Sequence, residues 1–176
     1  MRIILDSGII KRLIEYEIAK KGIILNEDSI KSIHDDVWKK IVDELRKKRY
    51  PVFIVITNKI VDEYSGKLHV DRKRIRYNLN KLKRRLNGKY YGIDIVPEKW
   101  IYTKIKPLTI RKKKTLEKAR NELKDETDVQ IIALALLDII DKAFTTDSKL
   151  CDFLNLNTNK KAIHTKKPSI DIILGE

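Results

Sequence analysis

The chain is poor in cysteine, glycine and proline, with one Cys, six Gly and four Pro in 176 residues. The single thiol, Cys151, excludes an internal disulfide, and His34, His69 and His164 show no ligand spacing, so no Cys/His zinc site forms. So few Gly and Pro exclude collagen-like and low-complexity classes. No apolar run approaches the roughly 20 residues that span a bilayer. The opening stretch MRIILDSGII meets Asp6 too soon for the apolar region of a signal peptide. The expectation is a cytoplasmic protein with no membrane partner. Neither GxGxxG nor the P-loop pattern occurs, which argues against a nucleotide-binding or phosphatase-like α/β domain.

Acidic charge is scarce as well. Asp plus Glu number 25 against 39 Lys plus Arg, a net charge of +14. That balance suggests a polyanion partner, most often nucleic acid, although solvated lysines alone would give the same number. A hydrophobic fraction of 42% is enough for a core and excludes disorder.

Ile3, Ile4 and Leu5 are consecutive and read as a short buried strand over Arg2–Asp6. Ile9, Ile10, Leu13, Ile14 and Ile18 have helical spacing and stop near Gly22. A second helix is expected from Asp28 to Lys48, with Trp38 on its apolar stripe. Pro51 breaks it, Val52–Ile56 is a strand, and a helix with Ile60, Val61, Glu63 and Tyr64 follows. A basic helix over Asp71–Asn87, a strand over Tyr90–Val96, an irregular connection over Glu98–Leu108 and a charged helix over Thr109–Lys124 come next. The nearly all-apolar run Asp125–Ile140 predicts a buried helix, Ala143–Asp147 a strand, and the segment after it a short helix through Leu154. Residues 157–162 read as a loop, Ala162–His164 as a last short strand, and Asp171–Glu176 gives no clear signal. Strands separated by helices predict an α/β fold with a mainly parallel sheet of four to five strands. One domain over residues 1–176 is expected, with extra helical segments around 23–50 and 71–89.

Four carboxylates occupy telling places. Asp6 and Asp147 end strands, Glu63 lies on the helix after a strand, and Asp128 lies in the first turn of a buried helix. Ligand sites of open α/β sheets lie at the carboxyl ends of strands. Each acid has a plain alternative. Asp6 and Asp147 suit helix caps, Glu63 a surface position, and Asp128 the third residue of a cap begun by Asp125. Capping does not predict all four places together. Converging carboxylates repel one another, and a hard cation such as Mg²⁺ or Mn²⁺ relieves that repulsion.

The stretches IILDSGII, IVDEY, ETDVQIIALALL and AFTTDSKL together resemble PIN-domain nucleases. The resemblance implies a three-layer α/β/α sandwich and metal-dependent endoribonuclease activity. It implies that Asp6, Glu63, Asp128 and Asp147 hold Mg²⁺ or Mn²⁺, that Ser7 and Thr145 orient a carboxylate or water, and that Asp125 is an additional acid. Many family members carry Asn or Ser two residues after the first Asp, where this chain has Gly8. The resemblance also implies, more weakly, a homodimer. RNA is the expected partner. The rivals are a non-catalytic RNA-binding module on the same fold and a toxin nuclease held by a protein antitoxin.

The stretch from Asp71 to Tyr91 has nine Lys or Arg and one acid. Ile75, Leu79, Leu82 and Leu86 have core spacing, which turns Arg72, Lys73, Arg76, Lys83 and Arg84 outward as an RNA-binding face. Tyr77, Tyr90 and Tyr91 are the aromatics placed to stack on bases.

Overall fold

The computed structural model describes residues 1–22, 26–86 and 88–174. Five strands, β1 (Arg2–Leu5), β2 (Val52–Thr57), β3 (Tyr91–Val96), β4 (Lys142–Thr145) and β5 (Lys161–His164), form one sheet in the order β3-β2-β1-β4-β5. Every neighbouring pair is parallel. β1 is central: Ile3 pairs with Ile54 on one side and Lys142 on the other. Covered on both faces, Ile3, Ile4 and Leu5 are fully buried, which is why the strand is a continuous apolar run rather than an alternating one.

The helices are α1 (Ser7–Lys21), α2 (Glu27–Arg46), α3 (Asn58–Lys67), α4 (Arg72–Leu86), α5 (Glu98–Ile105), α6 (Ile110–Leu123), α7 (Glu126–Leu136), α8 (Ser148–Asn157) and α9 (Ile170–Leu174). Helices α1 to α4 pack on one another, with α9 against α2, and α5 to α8 form a second group. The result is a three-layer α/β/α sandwich. A continuous cluster of buried apolar side chains runs through all three layers. None of the described helices is long and apolar enough to cross a membrane.

Local chemistry sets the element ends. Gly22 closes α1 in the left-handed region at φ 60°, where a glycine carries no Cβ penalty. Thr57 caps α3 by accepting from the Ile60 amide at 3.2 Å. Two expectations are corrected here. Glu98–Leu108 is not irregular, because Glu98–Ile105 forms α5 and buries Ile101. The buried helix ends at Leu136 rather than near Ile140. Asp138 adopts φ 59°, and the amides of Asp138 and Ile139 turn back to Ala135 and Leu134 at 3.1 and 3.0 Å. That is a Schellman closure with Asp in the glycine position. Asn87, Gly175 and Glu176 lie outside the described residues, as do positions 23–25 of the extra helical segment.

Trp38 is in the core, as expected, and His34 is buried beside it. The His34 Nε2 accepts from Trp38 Nε1 at 3.0 Å and from the Tyr64 hydroxyl at 2.9 Å. Its Nδ1 therefore carries the proton and donates to Asp35 at 3.1 Å. This network ties α2 to α3 at the residue next to Glu63.

Candidate active site

From β1 the chain builds outward to β2 and β3, then returns to lay β4 and β5 on the opposite side. The order reverses between β1 and β4, and such a switch point opens a crevice at the carboxyl ends of the strands. Asp6 follows β1 directly and Asp147 follows β4 by two residues. The two acids thus lie at the carboxyl ends of neighbouring parallel strands.

Asp6 occupies the N-cap position of α1, yet its side chain makes no cap hydrogen bond. It is 7% exposed. Its Oδ2 accepts instead from the Thr145 hydroxyl at 3.0 Å. The same buried hydroxyl accepts from the Asp147 amide at 2.9 Å. Thr145 thus couples the two acids. Asp147 does cap α8, and both bonds, from the amides of Lys149 and Leu150 at 2.7 and 3.1 Å, fall on Oδ1.

On α3, Glu63 is bonded by the Lys67 ammonium, which also donates to the Ser7 hydroxyl at 3.1 Å. Ser7 is buried, and its hydroxyl accepts from that lysine. Asp125 is exposed and caps α7 through the amides of Thr127 and Asp128 at 2.7 and 3.3 Å. The Asp128 carboxylate has no hydrogen-bond or ion-pair partner among the described residues.

The electrostatics bring these acids into one field. Burial, then the charges of Asp6, Asp125, Asp147 and Glu63, push the Asp128 carboxyl up to about 8. Burial also raises Asp6, with the Glu63 charge adding to it, while the Thr145 hydrogen bond and Lys67 oppose the rise. Coulomb repulsion reaches farther than ligation, however. Among the described residues no three His, Cys, Asp or Glu side chains form a group that holds an ion as they stand. The carboxylates of Glu63, Asp125 and Asp147 are turned to Lys67 and to helix amides. The donor set, all carboxylate and hydroxyl oxygen with an unpaired half-buried acid in it, fits a hard cation rather than a soft one.

Two residues of this region carry no strong sequence signal. Lys67 is legible only as the i,i+4 partner of Glu63. Gly8 is explained by contact: a Cβ there would lie 2.1 Å from Thr146 Oγ1. The first turn of α1 rests on the β4–α8 loop that carries Asp147. Gly8→Ser is expected to push that loop away and destabilise the protein by about 1–3 kcal/mol, read as a lowered melting temperature. An unchanged melting temperature would show that the loop yields freely.

The basic helix divides. Ile75, Leu79 and Leu82 are buried as expected. Arg72, Lys73 and Arg84 are exposed, and their side chains have no partner among the described residues. Arg76 and Lys83 meet acids of other elements: Arg76 is ion-paired with Asp62, and Lys83 lies 3.8 Å from Asp94. Tyr77 is 69% exposed, whereas Tyr91 is half-buried with the Arg46 guanidinium 5.4 Å from its ring centre.

No family model, no curated protein and no solved structure matches the chain. The fold and the acid cleft rest on the chain's own geometry.

Proposed function

We propose that the chain is a metal-dependent endoribonuclease that hydrolyses RNA phosphodiester bonds at the acid cleft. The observation that carries this reading is the set of acids at the switch point. Burial, with the charges of Asp6, Asp125, Asp147 and Glu63 adding to it, pushes Asp128 up to about 8. Asp6, Glu63, Asp128 and Asp147 are the residues to hold Mg²⁺ or Mn²⁺. When bound, such a cation supplies positive charge to a phosphodiester oxygen and acidifies water. The chain's own parts do the positioning. Thr145 fixes one oxygen of Asp6 and the backbone amide of Asp147. Arg72, Lys73 and Arg84 present charge for the RNA backbone away from the acids. RNA is thus held on a basic surface and cut in an acidic cleft.

The test is labelled single-stranded RNA incubated with the folded protein in Mn²⁺ or in EDTA. Cleavage in Mn²⁺ that EDTA stops supports the reading, and no cleavage across varied sequences and structures sinks it.

Lys67 is the cation that now sits on Glu63. A divalent ion entering the cleft has to displace it or bear its repulsion. Lys67→Met is therefore expected to bind Mn²⁺ about tenfold more tightly than the wild type, measured by calorimetry. Weaker binding in the variant would mean that Lys67 organises the acids instead of competing for them.

A further inference from the structure

The turn after α2 and the turn after α4 lie side by side at the amino ends of β2 and β3, where the Val52 amide donates to the Tyr90 carbonyl at 2.8 Å. Every strand pair is parallel, so this is the end of the sheet opposite the acid cleft. Residues 46–50 and 84–91 carry seven Lys or Arg, three Tyr and no acid. Asp43 and Glu44 pair with Arg46 and Lys47, and the charge of Asp171 also reaches Lys47. The side chains of Lys48, Arg49, Arg84, Arg85 and Lys89 have no ion-pair partner among the described residues.

Helix chemistry explains part of this charge. Cations in a last turn complement the negative end of a helix, which suits Arg46, Arg84 and Arg85. Lys48, Arg49 and Lys89 lie beyond the helix ends, and that account does not reach them. Nor does it place tyrosine rings in water, yet Tyr50 is 43% exposed and Tyr90 56%. The Lys89 ammonium stands 5.1 Å from the centre of the Tyr90 ring. The third tyrosine holds the turn in shape. The Gly88 amide donates to the Tyr91 carbonyl at 2.9 Å, and a Cβ on Gly88 would lie 2.6 Å from Tyr91 Cζ. Arg46 of α2 covers the same ring. Tyr91 thus anchors the turn, and Tyr90 beside it is left to solvent.

Cations interleaved with exposed rings, and no acid among them, fit a partner that alternates anionic and aromatic groups. Single-stranded nucleic acid is such a partner: its phosphates take the cations and its unpaired bases stack on the rings. A duplex keeps its base faces hidden. An anionic membrane would be met by exposed Leu, Ile, Phe or Trp, and the described residues of these turns expose none. We propose that the turns after α2 and α4 form a base-stacking platform for single-stranded nucleic acid, with Tyr50 and Tyr90 under the bases and Arg49 and Lys89 on the phosphates. Through Arg84 and Arg85 the platform continues the basic face of α4. The six residues of β2 separate it from the acid cleft, about 20 Å. Taking the platform as the anchor of a strand that is cut in the cleft rests on the ribonuclease reading; the binding itself does not.

The experiment is fluorescence anisotropy of the full chain with a labelled oligouridine of about 15 nucleotides, near the upper site size of such platforms, in EDTA. Heparin, a polyanion without bases, is titrated in parallel. Tyr90→Ser is expected to bind the RNA at least about fivefold more weakly, with its heparin affinity and melting temperature unchanged. Tyr90→Phe, which keeps the ring, is expected to bind like the wild type. Arg49→Gln and Lys89→Gln are each expected to lessen the slope of log affinity against log salt concentration by about 0.7. The proposal is overturned if the oligouridine does not bind, if Tyr90→Ser binds it like the wild type, if Tyr90→Ser weakens heparin as much as RNA, or if neither glutamine variant changes the slope. Binding to phosphatidylserine vesicles that Tyr90→Ser abolishes, with RNA binding intact, would overturn it in favour of a membrane. RNA binding in EDTA without cleavage in Mn²⁺ would leave the platform standing and remove the nuclease reading. Cleavage by the wild type, with full RNA affinity in Tyr90→Ser, would do the reverse.

Discussion

Asp6→Asn is expected to lower Mn²⁺-dependent RNA cleavage by at least about a hundredfold while the protein stays folded. The size follows from the donor lost: changes one shell further from a metal already cost about 10–100-fold. The structural part of Asp6 is kept by Asn. Its carboxylate does not cap α1, and its bond to the Thr145 hydroxyl needs only an acceptor, which the amide oxygen supplies. The two effects therefore separate. Cleavage collapses, while the melting temperature holds or rises because a buried charge is gone. Single-turnover cleavage and a thermal melt on the same sample check both. If Asp6→Asn cleaves like the wild type, the cleft is not where RNA is cut. If it unfolds, Asp6 is structural and the comparison moves to Asp147→Asn.

The second large effect is a fall in stability of the metal-free protein as pH rises from about 4 to about 8. The ordinary value of an Asp carboxyl is 3.8, and folding pushes Asp128 up to about 8. Between those values the folded chain keeps a proton that the unfolded chain has released. The folded state binds more protons, so unfolding free energy decreases with pH across that window and levels off above it. Asp6 is raised too and adds in the same direction. With allowance for partial solvent access, the loss amounts to about 2 kcal/mol. In a chain of this length that corresponds to a melting temperature about 4–8 °C lower at pH 8 than Asp128 alone would allow at pH 5. Asp128→Asn removes the charge and is expected to flatten this part of the profile, so that the variant melts above the wild type at pH 8 in EDTA. Mn²⁺ is expected to raise the wild type and leave the variant less affected. A wild-type profile that rises from pH 5 to pH 8 and matches that of Asp128→Asn would show that the acids do not share one field.

The sheet was legible because its strands are buried on both faces. Arg2–Leu5 and Val52–Thr57 carry unbroken Ile and Val runs that few helices of that length would show. The acids were legible from position along the chain, since Asp6 and Asp147 come within two residues of strand ends and parallel strands end at one edge. What the one-dimensional pattern hid were nonlocal contacts. Arg76 and Lys83 lie toward the outside of α4 by periodicity, yet Asp62 on α3 and Asp94 on β3 bind them from other elements. The turn of the Thr145 hydroxyl toward Asp6, rather than that of Asp6 toward its own helix, is likewise a tertiary choice. Helix α5 is eight residues long and buries Ile101 alone, too short a stripe to betray a helical period. The end of α7 was masked because Ile139 and Ile140 continue the apolar run after the backbone has already turned at Asp138. Gly8 has the opposite character: a plain residue in the sequence, and in three dimensions the point where α1 meets the loop bearing Asp147.

The central claim is that four carboxylates at the switch point form one cation site. A crystal of the wild-type chain soaked in Mn²⁺ and measured for anomalous scattering tests it most directly. The account predicts an anomalous peak between Asp6 and Asp147, with Glu63 released from Lys67 and Asp128 turned toward the ion. A well-occupied peak elsewhere, or a cleft with no peak at a Mn²⁺ concentration that supports RNA cleavage, would contradict it.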